Sequence, residues 1–426
     1  MHPERFRRLV ALVCLALPAA LAAPAGAGAE TSIAFSTLLP NGSGPTYEVG
    51  AVATDPSGAV YVTGGYAPLH SNTFPRDQFP FVMKLSPSGE VLYTTIFPGK
   101  DYSTVTAIAV DSQGQAYIAG STMGEVPQIG GLDAAYRGTA WDAFVAKLGA
   151  GGEILYSTTL GGSFDDGGTS PSDHAQGVGF DSQGAIYVAG NTVSLDFPRV
   201  GAPPIVAGGG PDLFVAKLIP GNPAPVWSTA FGGADFDLLE DLDVDSAGNL
   251  YLTGVTISED FPTVNAFQDE HAAGADYDAF VTKLTFAGQV IYSSYLGGSG
   301  SDHGLTIASD AAGNAWLGGS TFSEDFPLKN PLQTTMNWSE GFVAGVGPAG
   351  ALLFSTLFGG SALDHVSGID VDPSGLLHIT GDTDSSAFPL KDPIRDRCLP
   401  EDLPTGVRCV QDAFVARIDP RVPALL

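Results

Sequence analysis

The 426-residue chain contains 46 acidic and 18 basic side chains and has a formal net charge of −28. This charge argues against nucleic acid as a partner, because phosphates need a basic surface, and it leaves divalent cations as natural ligands. The 55 glycines and 31 prolines, together with few segments of helical period, favour an all-β fold of short strands joined by turns.

Residues 1–29 have the three parts of a secretory signal peptide. A basic start is followed by an apolar stretch from Leu9 to about Ala23 and by an Ala-Gly-Ala cleavage site that ends at Ala29. We therefore expect an exported protein, whether periplasmic, cell-surface or extracellular. No later segment of the sequence is long and apolar enough to span a membrane.

An Asp-x-x-Gly motif, followed by an aromatic residue three positions after the glycine, recurs along the chain. The Asp side chain can accept backbone N–H groups within a turn, and glycine readily adopts the positive φ that hairpin turns require. The motif is therefore predicted to join two strands, with the aspartate as a structural turn residue. The six copies begin at Asp55, Asp111, Asp181, Asp245, Asp310 and Asp372, the last with His378 in the aromatic position.

Two further signatures recur with each turn. One is typified by YSSYLGG at Tyr292 and the other by DAFVTKL at Asp278. Together the three signatures predict four strands per repeat. For the fourth copy we expect strands at about Leu239–Val244, Leu250–Val255, Ala279–Leu284 and Gln289–Leu296. The aspartate and the lysine of DAFVTKL are expected to form ion pairs between repeats or to lie on solvated edges.

Six four-stranded antiparallel units predict a six-bladed β-propeller, since an open stack would leave two sheet edges exposed. The first signature, FSTLL at Phe35, belongs to a fourth strand, and the last repeat ends on a third strand that begins at Asp412. The N-terminal strand is therefore predicted to complete the sixth blade and to close the ring. Residues 30–426 would then form a single domain.

The segments YSSYLGGSGSDHG, DAAGNAWLGGSTFSEDFP and DAFVTKL resemble the SBBP family of bacterial β-propeller repeats. The resemblance covers nearly the whole chain after residue 29 and implies an exported or cell-surface propeller without implying an activity. The family name suggests seven blades, whereas each signature occurs six times here. Blade one lacks the aspartate before Phe81, and blade five has Gly345 where other blades have Lys or Arg. We expect these two blades to be the least regular.

Acidic and imidazole side chains recur where the first strand of each blade begins, beside the predicted central channel. Carboxylates favour Ca²⁺ or Mg²⁺, and imidazoles shift the preference toward Zn²⁺. The same groups suit acid–base chemistry, although short polar residues beside a glycine-rich loop commonly serve as turn caps. A divalent cation such as Ca²⁺ is thus a candidate cofactor, and no residue is assigned as catalytic. The candidate ligand or metal residues are Glu48, Asp173, His174, Asp237, Asp302, His303, Asp364 and His365.

Asp241, Asp243 and Asp245 alternate in blade four. They suggest a cation site, but the segment lacks the Gly and the distal Glu of an EF-hand loop, and a charged edge beside a turn is the favoured interpretation. No Gly-x-Ser-x-Gly elbow, His-Glu-x-x-His or phosphate-binding Gly-Lys-Ser/Thr motif follows residue 29. The Gly-Gly doublets, as at Gly297, are interpreted as turns that leave a strand.

Cys398 and Cys409 are predicted to form a disulfide, because an even number of cysteines remains in an exported chain. The bond would close an insertion in blade six, Leu390 to Gln411, and such insertions often carry recognition. The leading hypothesis is a non-catalytic, monomeric binding or scaffold module at the cell envelope, with a protein or glycan ligand. The alternative is a metal-assisted lyase or hydrolase with its site at the mouth of the central channel.

Overall fold

A computed structural model describes residues 46–68, 78–98, 102–132, 141–162, 172–201, 209–385, 387–391, 400–403, 406–409 and 412–421. These residues form 25 strands, and no helix among them is long and apolar enough to cross a bilayer. The predicted signal peptide, the strand at Phe35 and Cys398 lie outside the described residues. For Cys409 only the backbone is described, so the disulfide stays a prediction.

Within the described residues, the strands form five four-stranded antiparallel sheets, one three-stranded sheet and one two-stranded hairpin. The four- and three-stranded sheets, in chain order, are here called blades one to six. Blade one contains β1 (Thr46–Thr54), β2 (Val60–Ala67), β3 (Phe79–Leu85) and β4 (Val91–Ile96). Blade two contains β5 (Ser103–Val110), β6 (Ala116–Thr122), β7 (Asp142–Leu148) and β8 (Ile154–Leu160). Blade three contains β9 (Asp173–Phe180), β10 (Ile186–Thr192), β11 (Asp212–Leu218) and β12 (Trp227–Phe231).

The second half of the chain repeats this order. Blade four contains β13 (Asp237–Val244), β14 (Leu250–Thr256), β15 (Asp278–Leu284) and β16 (Val290–Leu296). Blade five contains β17 (Asp302–Ser309), β18 (Ala315–Thr321), β19 (Glu340–Val346) and β20 (Leu352–Phe358). Blade six contains β21 (Asp364–Val371) and β22 (Leu377–Thr383), followed by a separate hairpin of β23 (Pro400–Leu403) and β24 (Gly406–Cys409), and then by β25 (Asp412–Ile418).

The predicted strands of blade four agree with the observed ones to within two residues at each end. The prediction that blades one and five are irregular is wrong, since both form complete four-stranded sheets. In blade five the missing lysine has a steric reason. A Cβ at Gly345 would lie 2.4 Å from Cζ3 of Trp316, which fills the space that a lysine stem has in other blades. The indole Nε1 of Trp316 donates to Asp310 Oδ2 at 3.0 Å.

The Asp-x-x-Gly turns have the expected chemistry, as in blade three. Asp181 Oδ1 accepts from the backbone N–H groups of Gln183 and Ala185 at 2.9 and 3.0 Å. Gly184 has a φ of +79°, where glycine is favoured because it has no Cβ. The hydroxyl of Tyr187 donates to Asp181 Oδ2 at 3.0 Å, so the aromatic residue of the motif binds the turn aspartate directly.

The first strands of successive blades contact one another from β1 to β21, and they therefore form the innermost layer. The hydrophobic core lies between the faces of neighbouring sheets. One cluster, for example, joins Tyr187 and Val215 of blade three to Leu252 and Phe280 of blade four, all fully buried. Burial of apolar area between blades, at about 25 cal/mol per Å², is the main stabilising contribution to such an array.

Candidate functional site

The first and third strands of each blade start at the same end of the sheet, which we call the entry end. The Asp-x-x-Gly turns lie at the opposite end, the turn end. In blade four the entry end holds the starts of β13 and β15, at Asp237 and Asp278, while the turn that begins at Asp245 lies at the turn end. The predicted ligand residues all belong to the entry end.

All four predicted ligand aspartates start the first strands of their blades and are fully buried. In blade four, Asp237 Oδ2 accepts from the N–H of Gly233 at 2.6 Å and from Ser258 Oγ at 2.9 Å. Each aspartate thus joins the Gly-Gly turn that precedes it to the segment that follows the second strand. The same two bonds are made by Asp173, Asp302 and Asp364.

A second carboxylate faces each of these aspartates from the third strand of the preceding blade. A Cβ placed on Gly297 would lie 2.2 Å from Asp278 Oδ1 and 2.8 Å from Asp302 Oδ2, so both oxygens press on this glycine. The first glycine of each Gly-Gly doublet therefore leaves room for two carboxylates. We call these the carboxylate pairs: Asp142–Asp173, Asp212–Asp237, Asp278–Asp302 and Glu340–Asp364.

For Asp212 and Asp278, the expectation that the aspartate of the DAFVTKL signature forms an ion pair or lies on a solvated edge is wrong. Asp212 and Asp278 are buried against another carboxylate. The lysine of the signature lies at the turn end, where Lys217 Nζ is 3.3 Å from Asp181 Oδ2 of its own blade. Asp212 and Lys217 are five positions apart on β11, which places them at opposite ends of the sheet.

The carboxylate pairs retain protons more strongly than ordinary acids. Asp212 Oδ1, Asp278 Oδ1 and Glu340 Oε2 are buried without a hydrogen-bond partner. Burial, and then the charge of the paired aspartate, raises the pKa of Asp212 to about 7 and that of Glu340 to about 7. Burial also raises the pKa of Asp302 to about 6. Two like charges at such a site are unfavourable together, so Asp212 and Glu340 hold protons near neutral pH.

The three predicted histidines follow the aspartates in sequence and lie on the other face of the strand. His174 Nδ1 is 3.0 Å from Ser121 Oγ, and His365 Nδ1 is 3.2 Å from Asp382 Oδ2. The ring of His303 lies 5.3 Å from that of Tyr277, and burial, with His365 nearby, lowers the pKa of His303. The structure therefore does not bring the histidines together with the buried aspartates.

Glu48 of blade one is exposed and accepts from Gln78 Nε2 at 3.1 Å. Within the described ranges, no three or more Asp, Glu, His or Cys side chains are grouped as metal ligands would be. The assignment of the eight entry-end residues to a metal or another ligand stays a prediction.

Asp241 and Asp243 on the inner strand of blade four bind the inner strand of blade five. Asp241 Oδ2 accepts from the N–H of Ile307 at 2.8 Å and from Thr306 Oγ1 at 3.1 Å. Asp243 Oδ2 accepts from the N–H of Ser309 at 2.7 Å. The carboxylate oxygens that could bind a cation therefore already accept hydrogen bonds from blade five. Burial raises the pKa of Asp241 to about 7.

Sequence reasoning missed a set of exposed aromatic side chains at the entry end of blades four and five. Tyr277 comes directly before Asp278, and its carbonyl accepts from the N–H of Asp302 at 2.8 Å. Phe322 donates its N–H to Ser301 O at 2.9 Å, so it lies beside the same strand start. We call the set the aromatic surface. It consists of Phe236, Tyr277, Phe322 and Trp338, which are 50%, 37%, 41% and 64% exposed.

Six successive antiparallel sheets with inner strands in mutual contact define the chain as an all-β protein of the β-propeller type. No family model matches it. Over 235 residues, 52% of the chain, it is 25% identical to the regulatory protein FlaEY of Caulobacter vibrioides. The match covers 23% of that relative, so the chain spans less than a quarter of its length.

The solved structures that are similar to the chain include a WD40 domain and a gluconolactonase. The WD40 domain of Neurospora crassa Pan2 is 9% identical with a TM-score of 0.39, over 78% of this chain and 86% of that one. A gluconolactonase from Xanthomonas campestris is 16% identical with a TM-score of 0.30, over 76% of this chain and 86% of that one. The SBBP resemblance therefore rests on the repeated sequence segments.

Proposed function

We propose that the chain is an exported, non-catalytic β-propeller that binds a protein or glycan ligand at the cell envelope. Its N-terminal sequence supports export, and the SBBP-like repeats support an envelope location. Blade six has three strands within the described residues. A fourth strand from the segment at Phe35 would complete it, which would close a six-bladed ring over residues 30–426 and remove two exposed sheet edges.

The aromatic surface is the observation that carries this proposal. Phe236 precedes β13 and Trp338 precedes β19, so neither residue lies within a strand that contributes to the core. Sheet packing therefore does not explain why these two side chains face solvent. Exposed aromatic side chains that cluster on one side of a protein mark surfaces that bind partners. The aromatic surface thus supports a ligand at the entry end of blades four and five.

The catalytic alternative would place a metal-assisted lyase or hydrolase site among the entry-end aspartates. Buried aspartates such as Asp237 and Asp302 already accept hydrogen bonds from glycine N–H and serine hydroxyl groups. Their oxygens face a second carboxylate rather than solvent. These contacts favour a structural role and support the binding module over the enzyme.

The proposal is tested with the full chain, expressed with its own N-terminal segment and recovered from an exporting host. A biosensor measures binding to envelope glycans and to purified envelope proteins. Tyr277→Ala and Trp338→Ala are each expected to weaken binding, whereas Phe286→Ala, which removes an exposed aromatic at the turn end, leaves it intact. Lactone or ester hydrolysis that needs a divalent cation and is lost in His303→Ala would instead establish the enzyme.

A further inference from the structure

The entry end of blades four and five carries no lysine or arginine from these blades. Residues 237–358 contain sixteen carboxylates and two lysines. Lys283 lies at the turn end, where its Nζ donates to Gly313 O at 2.8 Å and lies 4.7 Å above the ring of Tyr251. Lys329 is exposed along the outermost strand, where its backbone bridges to Ser355. Both lysines are thus away from the aromatic surface.

Exposed carboxylates accompany the aromatic side chains. Asp235 directly precedes Phe236 and is exposed. The N–H of Ile257 donates to Phe236 O at 3.0 Å, so exposed Glu259, two residues further on, leaves the same edge of the sheet. In blade five, exposed Glu324 lies two residues after Phe322, as Glu259 lies two residues after Ile257 in blade four. Exposed aromatic rings and exposed carboxylates therefore both belong to this part of the entry end.

We propose that the aromatic surface, with Asp235, Glu259 and Glu324, binds a lysine- and arginine-rich segment of a partner protein. The inference rests on the proposed binding function and specifies its ligand. Guanidinium and ammonium groups pair with carboxylates, and they also bind to the faces of aromatic rings. Such a ligand uses both kinds of side chain, and no lysine or arginine of blades four and five opposes it.

Charge complementarity distinguishes this ligand from a neutral glycan. A sugar ring can stack on Tyr277 or Trp338, but it gains little from a high density of negative charge. A cationic segment is also attracted from a distance by the acidic chain, which speeds its association and makes it sensitive to salt. Binding should therefore weaken as the salt concentration rises.

Isothermal titration calorimetry of the full chain with hexa-arginine, hexa-lysine and a neutral oligosaccharide tests the inference. Hexa-arginine is expected to bind at one site, and Trp338→Ala and Tyr277→Ala each to weaken it about fivefold. The double variant Glu259→Gln/Glu324→Gln is expected to weaken it and to reduce its salt dependence. Phe286→Ala, which removes a side chain that is 56% exposed at the turn end, serves as the matched control.

The aromatic variants leave the net charge unchanged, so a loss of affinity in them alone cannot arise from general attraction to an acidic protein. Equal affinity in all aromatic variants would overturn the inference. The inference would also be overturned if Trp338→Ala lowered the affinity for a neutral oligosaccharide but left the affinity for hexa-arginine unchanged. In that case the proposed binding function would still hold, with a glycan as its ligand. Failure of the proposed function itself would appear as cation-dependent hydrolysis. Near-ultraviolet circular dichroism checks that each variant is folded.

Discussion

At the turn end, donors surround each aspartate carboxylate, whereas at the entry end two carboxylates face each other across a glycine. Burial alone would raise the pKa of Asp181, but the N–H of Ala185, the hydroxyl of Tyr187 and other donors lower it. Burial raises the pKa of Asp278, whose Oδ1 has no donor. Aspartates at the turn end therefore stabilise the fold most at higher pH, and aspartates of the carboxylate pairs stabilise it most at lower pH.

The sign of each contribution follows from proton binding. A lowered pKa at the turn end gives stability that is present above the unfolded pKa of about 4 and is lost as pH falls through the folded value. A raised pKa at the entry end gives stability that is complete below about pH 4 and is lost as pH rises toward the folded value. For Asp212 and Glu340 this loss extends to about pH 7.

The largest expected effect comes from filling the space that the carboxylate pairs occupy. Gly297→Ala would place a Cβ 2.2 Å from Asp278 Oδ1, and the carboxylates have little room to move. The free energy of unfolding should fall by about 3 kcal/mol, at the upper end of overpacking effects. Urea unfolding followed by tryptophan fluorescence measures it.

Gly347→Ala is the matched control for this substitution. Its Cβ would meet Leu353 Cδ2 at 3.4 Å, an ordinary van der Waals contact, so stability should change by less than about 0.5 kcal/mol. Equal losses in the two variants would mean that the entry end does not depend on the space above Gly297.

The pH dependence of stability sharpens the comparison. Each carboxylate pair that binds one more proton in the folded than in the unfolded state contributes a slope of up to about 1.4 kcal/mol per pH unit. Unfolding free energy should therefore fall between about pH 4.5 and 7. Asp212→Asn removes one titrating group of a pair and should make this decline shallower. An unchanged profile in urea titrations across this range would contradict the protonation of that pair.

The smallest expected effect is at a single turn. Asp181→Asn weakens the bonds from Tyr187 and Lys217, and it should lower stability by about 1–2 kcal/mol at pH 7. The difference from the unsubstituted protein should shrink as the pH falls below about 4, because the unfolded aspartate is protonated there and the folded one binds a proton as the pH falls further. Thermal melting at pH 7 and pH 3 measures this, with the exposed Asp269→Asn as control. A loss of equal size at both pH values would exclude an ionic contribution.

Strands and turns could be predicted because their signals are local. The alternation of apolar residues before Asp245 and the Asp-x-x-Gly pattern itself act within one hairpin. The role of the Gly-Gly doublets could be predicted only in part, because the glycine at 297 is required by carboxylates from two blades rather than by its own turn.

The carboxylate pairs depend on packing between blades, which no single repeat encodes. Asp278 and Lys283 were each expected to form ion pairs between blades or to lie on solvated edges, but Asp278 is buried against Asp302 at the entry end and Lys283 Nζ donates to Gly313 O at the turn end. The aromatic surface has a weak sequence signal, an aromatic residue directly before a strand-starting aspartate, as at Phe236 and Tyr277. That signal could not be distinguished from core packing until the exposure of these side chains was known.

The bonds from Asp241 and Asp243 bear on how the molecule opens. They attach the backbone N–H groups of Ile307 and Ser309, on the inner strand of blade five, to blade four. Hydrogen exchange at these two amides therefore requires the blades to separate, and not only one sheet to fray. Blades four and five should consequently exchange as one cooperative unit, and this unit carries the aromatic surface.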